Sequence, residues 1–469
     1  MPTRQPLAVS TVRLISAALG VLLACGVLVA TYEHPAPKAP IGATPVDLRA
    51  DTPNPVTPGD FTGYGFDQCL APSQKAMNRW MSSSPFLAAG IYISGKSRAC
   101  RDQPNLTPAW IQHQLQAGWK LLPITLGPQA SCSPRYPRYG DDPTINAAPG
   151  PEGLYGKARK QGRAEARTTV DVAQRLGITA GSTLWYDLEA FDIGNTRCRK
   201  SALAFLSAWT TGINTLGYES GVYSSAGSGL KMLDDARVNT PDAYDFPDAI
   251  WIARWDGVAN TSTSYLRDDG WRPGGRMKQY EGGHNETWGG VTINIDRDYL
   301  DLGKGSFAPE EDHCNGVNIN FKTYGRLFPP TKTYTPPEGQ VRAVQCLLTE
   351  RGRYEGKLNG VYNDATIAAV GAWQQAHGFT PRTMFGPRDW IAMHMDAPDS
   401  VLKVGSAGPV VRRLQRALHA SGVTTSLKVT GVYGAATATA VKAYQALVGL
   451  KQTGIVNPRT NDRLDRGVL

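Results

Sequence analysis

An internal repeat in the last third of this 469-residue sequence constrains the fold more than any other feature. Residues 341–345 (VRAVQ) match residues 411–415 (VRRLQ), and the tripeptide GVY occurs at both 360–362 and 431–433. From the second match onward the two copies keep a constant offset. Each copy reads as a helix, a glycine turn, a helix, a second glycine turn and a short helix. The sequence therefore predicts two small all-α domains of three helices each.

The repeated pattern V-x-x-[VL]-Q, followed by G-V-Y and by A-V-x-x-[YW]-Q, resembles the three-helix peptidoglycan-binding domain of bacterial wall enzymes. We place the two modules at 309–396 and 400–469. The resemblance implies a groove that holds the peptide and sugar elements of the wall. Nearly every matched residue is also explained as core or turn, so the repeat defines the fold more firmly than the ligand.

Residues 59–308 alternate short apolar strands with amphipathic segments, which is typical of α/β folds built from βα units. About 250 residues of this pattern is the usual size of a closed, TIM-type (β/α)8 barrel, which is the fold we predict. The alternative is an open doubly wound sheet, but no glycine-rich phosphate loop follows the first strand. The clearest predicted strands contain residues 90–93, 119–124, 183–186, 221–223 and 249–253, and the clearest helices cover 165–176 and 201–216.

The N-terminus has the form of a secretory signal. Arg4 and Arg13 precede an apolar run over 14–30, which is also near the lower limit for a membrane span. We therefore predict a signal peptide or an uncleaved signal anchor at 1–32. The stretch 33–58 contains seven prolines and is predicted to be a linker. The chain is expected to be secreted and associated with the cell wall.

Cysteine usage agrees with export. Six cysteines remain once Cys25 is set aside with the signal, and an even number in an exported chain indicates disulfides. Six cysteines allow fifteen pairings. Sequential pairing is favoured because it keeps each bridge within one predicted domain: Cys69 with Cys100, Cys132 with Cys198, and Cys314 with Cys346.

Charge and composition limit the classes of ligand that the chain is expected to bind. The formal net charge is +9, but no arginine-rich helix or dense basic run is present, so nucleic acid is not expected as a ligand. A mild positive field suits an anionic wall polymer and equally suits simple solubility. The sequence gives no sign of a metal site or an organic cofactor. We expect a monomer that contacts the membrane only through the N-terminal anchor, if that is retained.

A pair of carboxylates follows one of the predicted strands. The segment 185–189 (WYDLE) places Asp187 and Glu189 two residues apart, and side chains at i and i+2 of a strand share a face. Glycoside hydrolysis requires one carboxyl group that stays protonated to donate to the leaving oxygen, and another that remains charged. Burial and mutual repulsion separate the two pKa values and allow this division of roles.

Other predicted strands add to the candidate site. Asp67 ends a G-F-D motif at the first strand, and Asp296 lies on a terminal strand whose alternation gives it one face with Asn294 and Asp298. Aromatic residues at strand ends suit stacking on sugar faces, although Trp255 is equally well explained as a core residue.

Six short motifs occur in a fixed order: G-F-D at 65–67, D-L-E at 187–189, G-V-Y-S at 221–224, W-I-A-R-W at 251–255, K-Q-Y at 278–280 and N-I-D at 294–296. This order is similar to that of the glycoside hydrolase family 25 lysozymes, and closer still to their actinobacterial relatives, the glycoside-hydrolase-like domains. The lysozymes cleave the β-1,4 bond between N-acetylmuramyl and N-acetylglucosaminyl units, so the resemblance implies a muramidase reaction.

By this resemblance Glu189 is the general acid, and Asp187 orients it or stabilises the developing cation. Asp67 and Asp296 complete an acidic floor. The resemblance also places Gln279 and Trp255 in the sugar site. The full set of candidate substrate-binding residues is Trp255, Gln279, Tyr223 and Tyr186.

Two features depart from the lysozyme pattern. Asp67-Gln68-Cys69 replaces the usual start of the domain, and the segment 129–165 is an insertion that could cover or reshape the cleft. Two alternatives to a muramidase therefore stay open. One is a catalytically inactive wall-binding protein that uses the barrel cleft to hold glycan, and the other is a hydrolase of a different polysaccharide, such as arabinogalactan or a fungal glycan.

Overall fold

The structure, a computed structural model, describes residues 53–396 and 400–469. The segment predicted as signal or anchor, 1–32, lies outside these residues, as does the predicted linker up to residue 52. Within the two described stretches, none of the helices has the length and hydropathy that spanning a bilayer requires. The last residues of the predicted linker contact the barrel, because Thr57 donates through Oγ1 to the main-chain oxygen of Leu121 at 2.7 Å.

Eight strands close into a barrel in sequence order, which confirms the predicted fold class and excludes the open sheet. Strands β1 to β7 are parallel to one another. The strands are β1 (Phe61–Asp67), β2 (Ala88–Ser94), β3 (Lys120–Thr125), β4 (Thr183–Asp187), β5 (Glu219–Ser225), β6 (Ala249–Ala253), β7 (Gly275–Trp288) and β8 (Val291–Leu302).

The last strand departs from the (β/α)8 pattern, because β8 is antiparallel to both β7 and β1. Only Gly289 and Gly290 separate β7 from β8, and a parallel crossover needs a dozen residues or more. Both glycines have positive φ, 58° and 77°, which is what a two-residue hairpin turn demands. The chain therefore turns back as a long hairpin that closes the barrel.

Helices follow the first five strands only. The segment between β6 and β7 forms turns instead, since it is rich in Gly, Asn, Ser and Pro. The barrel helices are α1 (Gln74–Ser83), α2 (Pro108–Gln116), α3 (Gly156–Arg175), α4 (Thr196–Thr215) and α5 (Lys231–Asn239).

Glycines inside the barrel make room for two indole rings. A Cβ on Gly221 would lie 2.3 Å from the ring of Trp185, and a Cβ on Gly90 would lie 3.1 Å from the ring of Trp251. The two rings meet edge to face, with their centroids 5.6 Å apart. Both tryptophans are fully buried, so the barrel interior is packed solid beneath its open end.

The described cysteines form three disulfides, and the sequential pairing favoured from the sequence is confirmed. Two of the bridges lie at the C-terminal end of the barrel strands, one between two loops and one between a loop and the start of α4, and the third lies in the first module. The pairs are Cys69–Cys100, Cys132–Cys198 and Cys314–Cys346.

The C-terminal region consists of two three-helix units, as the repeat predicts, but the two units share one hydrophobic core. Leu348 and Trp390 of the first unit belong to the same buried cluster as Leu414 and Tyr444 of the second. The modules are therefore fused side by side. Their helices are α6 (Glu338–Thr349), α7 (Asp364–Ala376), α8 (Pro387–Met395), α9 (Pro409–Ala420), α10 (Ala435–Leu447) and α11 (Pro458–Asp465).

The repeated glutamine of the V-x-x-[VL]-Q motif fastens the glycine turn in both copies. In the second module Gln415 accepts from the main-chain N–H of Gly431 at 2.9 Å, and it donates to Val432 O and Thr437 Oγ1 at 3.1 Å each. Gln345 makes the equivalent contacts in the first module. The glutamine is therefore repeated for a structural reason: a buried side-chain amide needs hydrogen-bond partners, and the glycine turn supplies them.

The second module is docked on the base of the barrel, which we define as the N-terminal ends of the parallel strands. Lys403 is 1% exposed, and its Nζ donates to the main-chain oxygens of Ser84 (3.1 Å) and Phe86 (2.6 Å), just before β2. The same nitrogen lies 5.2 Å from the ring centroid of Trp119. Burial lowers the pKa of the Lys403 amine well below its usual value.

Candidate active site

Four acids predicted from three separate motifs meet at the C-terminal end of the barrel. Asp67 ends β1 and is the register partner of Asp296 on β8, while Asp187 ends β4. Asp67, Glu189 and Asp296 line one cavity of about 230 Å³, which we call the cleft. Asp187 is 1% exposed and is not among the residues that line it. The candidate acids therefore belong to one site with different degrees of burial.

Asp187 is held by groups from two other elements. Tyr92 on β2 donates from its hydroxyl to Asp187 Oδ2 at 3.0 Å. Gln129, in the loop after β3, donates from Nε2 to the main-chain oxygen of Asp187 at 2.7 Å and accepts from the main-chain N–H of Glu189 at 2.9 Å. Strand β4 ends at Asp187, so strand alternation does not decide where Glu189 points. Gln129 fixes this segment instead.

Burial, and then the charge of Glu189, raises the pKa of Asp187 well above its usual value. Glu189 is the more open of the two, with 20% of its side chain exposed, and its Oε2 lies 3.6 Å from Nη1 of Arg135. The two carboxyl groups of the D-L-E motif therefore differ in burial, and the group whose pKa is raised is Asp187, which is not the one that the resemblance makes the general acid.

Gln279 connects three of the predicted residues. Its Nε2 donates to Asp67 Oδ2 at 2.8 Å, and its Oε1 accepts from the hydroxyl of Tyr223 at 3.0 Å and from Nε1 of Trp255 at 2.9 Å. Trp255 is 64% exposed, so its ring offers a face at the rim of the barrel rather than filling the core. These contacts place Gln279, Tyr223 and Trp255 at the same end of the barrel as the acids.

A fifth acid, Asp298, is buried beneath Asp67. It accepts from Nε1 of Trp251 at 2.8 Å and shares a hydrogen bond with Asp67. Burial, and then the charges of Asp67 and Asp296, raises the pKa of Asp298 well above its usual value. Burial and the charge of Asp296 also raise the pKa of Asp67, to about 8. The sequence put Asp298 on the same face as Asp296, but it was not among the predicted catalytic residues.

Asp296 sits closer to solvent than these two. Burial raises its pKa to about 6, while a hydrogen bond from the main-chain N–H of Gly283 opposes that rise. At pH 7 Asp296 is therefore mostly ionised.

The prediction that Tyr186 binds substrate is wrong. Successive side chains of a strand point to opposite faces, and since Asp187 faces the barrel interior, Tyr186 faces the helices. Its ring is fully buried against Phe205 and Trp209, and its hydroxyl donates to the main-chain oxygen of Pro128 at 2.6 Å. Tyr186 is a core residue of the barrel wall.

The insertion after β3 shapes one side of the cleft, and it contributes residues that the sequence did not single out. Arg138 comes from this loop, and Arg98 comes from the loop after β2; both line the cleft. The bridge between Cys132 and Cys198 ties the insertion to the start of α4. Neither arginine nor Gln129 stands in a motif or at a strand end, so no signal in the sequence marks them.

Family models match both parts of the chain. Residues 78–300 match the Rv2525c-like, glycoside hydrolase-like domain. Residues 337–386 and 407–464 each match the PG_binding_1 peptidoglycan binding domain. The resemblances drawn from the order of the barrel motifs and from the repeat are therefore confirmed. No curated protein was found to match the chain.

Similar solved structures come from three bacteria. An uncharacterised protein of B. stearothermophilus is 17% identical, with a TM-score of 0.31 over 51% of this chain and 95% of that one. The Tat-secreted protein Rv2525c of Mycobacterium tuberculosis, in complex with L-tartrate, is 14% identical, with a TM-score of 0.34 over 52% of this chain and 98% of that one. The modular autolysin LytC of Streptococcus pneumoniae is 12% identical, with a TM-score of 0.31 over 51% of this chain and 46% of that one.

Proposed function

Because the chain joins an Rv2525c-like, glycoside hydrolase-like domain to two peptidoglycan binding domains, we propose that it is a secreted hydrolase of cell-wall glycan with a muramidase-like reaction. One observation carries the proposal: the cleft joins an accessible carboxyl group, Glu189, to two acids whose pKa values burial raises, Asp67 and Asp296. Acid–base hydrolysis of a glycosidic bond depends on such a difference in environment.

In the proposed reaction Glu189 donates a proton to the glycosidic oxygen as the bond to the anomeric carbon breaks. Water then supplies the hydroxyl group to that carbon and returns a proton to Glu189. Asp296 is mostly ionised at pH 7 and stabilises the positive charge that develops on the sugar ring. Asp187 is buried and bonded to Tyr92 and Gln129, so its contribution is to position the segment that carries Glu189.

The rim of the barrel carries an aromatic ring and polar groups of the kind that bind sugars. Trp255 is largely exposed, and a hydrogen bond to Gln279 fixes its indole, so its ring can stack on the apolar face of a pyranose. Tyr223 and Gln279 offer polar groups beside it. The two peptidoglycan binding domains raise the local concentration of the enzyme at an insoluble substrate.

Three disulfides and the wall-binding domains favour an oxidising compartment at the cell wall. We infer that the chain is exported, with the signal or anchor predicted at 1–32 directing it. The wall polymer is then its partner, and an oxidising exterior is where the bridges around the cleft form and persist.

A second candidate function is wall binding without catalysis. The guanidinium of Arg135 lies 3.6 Å from Glu189 Oε2, so it stands at the group proposed to donate the proton. A glycan that entered the cleft would have to displace this guanidinium before Glu189 could reach the leaving oxygen. If the ion pair persists with glycan bound, the barrel holds the polymer without cleaving it.

The test is release of reducing sugar from purified peptidoglycan by the full secreted chain, with arabinogalactan as a parallel substrate. We expect the parent to release sugar and Glu189→Gln to be slower by about 100-fold or more, the usual contribution of a general acid. Sedimentation with the polymer serves as the control for binding. A parent that sediments with peptidoglycan but releases nothing from either substrate would support the binding function.

A further inference from the structure

Two arginines stand in the wall of the cleft, apart from its acidic floor. Arg98 is half-buried after β2, and Arg138 lies at the exposed rim in the insertion between β3 and α3. Asp296, which lines the same cavity, comes from β8. The cleft therefore has positive and negative groups on different structural elements.

The protein holds both guanidinium groups in place with neutral partners. Arg98 donates from Nε to the main-chain oxygen of Gly95 at 2.9 Å and from Nη1 to that of Tyr92 at 3.3 Å. Arg138 donates from Nη2 to the hydroxyl of Tyr136 at 2.9 Å, with its guanidinium carbon 5.1 Å from the centroid of that ring. Each guanidinium group is thus held in one orientation, and some of its N–H groups make none of these hydrogen bonds.

Neither guanidinium forms an ion pair within the described part of the chain, although carboxylates are close in sequence. Asp141 and Asp142 pair with Arg101 instead, each at 2.9 Å. Burial, and then repulsion from Arg101, lowers the pKa of Arg98. Two oriented, unpaired positive charges in a cavity wall are complementary to an anion.

We propose that Arg98 and Arg138 bind a carboxylate carried by the glycan in the cleft, and that this contact fixes the direction in which the glycan lies. A carboxylate placed against the arginines leaves the neutral part of the sugar over Glu189 and Asp296, whereas the reverse orientation brings like charges together. A doubly charged phosphate would be repelled more strongly by Asp296, which is mostly ionised at pH 7. The inference rests on the proposed function only in that the cleft holds wall glycan, and it does not require hydrolysis.

The experiment is calorimetric titration of the full secreted chain with three probes. They are the disaccharide of N-acetylglucosamine and N-acetylmuramic acid, the same disaccharide with a dipeptide on its lactyl group, and neutral N,N′-diacetylchitobiose. We expect at least one carboxylate probe to bind about tenfold more tightly than chitobiose at low salt, and the preference to shrink at high salt. A preference for the first probe places the carboxylate on the sugar, and a preference confined to the second places it on the peptide.

Arg138→Gln should remove most of this preference by weakening the carboxylate probe more than chitobiose, while Arg138→Lys should retain part of it. Arg98→Gln should have the same effect. Because Arg98 also bonds main-chain oxygens, the rim residue Arg138 keeps the test decisive if Arg98→Gln fails to fold. The matched control is Arg167→Gln, an exposed charge on α3.

Equal affinity of the parent for all three probes would overturn the inference, as would variants that weaken all three alike. The outcome separates from that of the proposed hydrolysis. A chain that keeps the carboxylate preference yet releases no reducing sugar supports the arginine site and contradicts the hydrolase. A chain that releases sugar without any such preference supports the hydrolase and contradicts the arginine site.

Discussion

Asp298 and Asp67 are both buried at the cleft end of the barrel, and burial raises the pKa of both carboxyl groups. The folded pKa of Asp67 is about 8, against a usual value of 3.8, and that of Asp298 is also raised. Below about pH 4 the folded and unfolded chains both hold these protons, and their stabilising contribution is complete. As the pH rises toward 8 the unfolded chain binds fewer protons than the folded one, so this contribution is lost.

Asp298→Asn tests this at the scale of one residue. An asparagine can donate to Asp67 and accept from Trp251, so it reproduces both contacts without a titrating proton. We expect the free energy of unfolding of the parent to fall between about pH 5 and pH 8, and that of the variant to fall less.

Urea denaturation across this range measures the difference. Asp171→Asn, which removes an exposed carboxylate from α3, is the control and should keep the slope of the parent. Parallel curves for the parent and Asp298→Asn would show that the buried pair does not titrate in this range.

Two glycines in different elements should respond to alanine with opposite signs. Gly221 lies on β5 with its Cα against the ring of Trp185, so an added Cβ would be 2.3 Å from that ring. Gly371 lies within α7, where an added Cβ would meet nothing closer than Pro381 at 3.8 Å. Gly221→Ala should destabilise the chain by about 1–3 kcal/mol through overpacking. Gly371→Ala should stabilise it by about 0.5–1 kcal/mol through helix propensity.

Thermal and denaturant unfolding of both variants checks this prediction. The two substitutions add the same methyl group, so each serves as the matched control of the other. Destabilisation by Gly371→Ala, or tolerance of Gly221→Ala, would mean that the space around each glycine does not decide how the substitution changes the free energy of unfolding.

Patterns that repeat along the chain could be read from the sequence at the scale of elements. Strand alternation located β2 to β6, and the repeat located both three-helix modules. The direction of β8 could not be read, because alternation places Asp296 on a terminal strand but does not say whether that strand runs parallel or antiparallel to its neighbours. Gln129, Arg98 and Arg138 could not be found either, since loops bring them to the cleft and their spacing in the chain carries no period.

At the scale of the whole molecule, the buried amine of Lys403 connects the second module to the base of the barrel. Lys403→Glu would set a carboxylate against the main-chain oxygens of Ser84 and Phe86, with like partial charges facing each other in a buried site. We expect the barrel and the modules to separate while each keeps its fold, because each has its own hydrophobic core.

Small-angle scattering should then show a larger radius of gyration, with little change in secondary structure by circular dichroism. Lys428→Glu makes the same change of charge at an exposed position of the same module and should leave the radius unchanged. An unchanged radius for Lys403→Glu would show that other contacts, such as Ser306 Oγ with the main-chain oxygen of Gly405 at 2.7 Å, are sufficient to hold the module.

The docking of the second module has a consequence for how the protein meets its polymer. The cleft opens at one end of the barrel, and Lys403 holds the module at the other, a strand length of about 20 Å away. The modules and the cleft therefore face the wall polymer from opposite ends of the barrel, and the distance between them is set by the length of the strands.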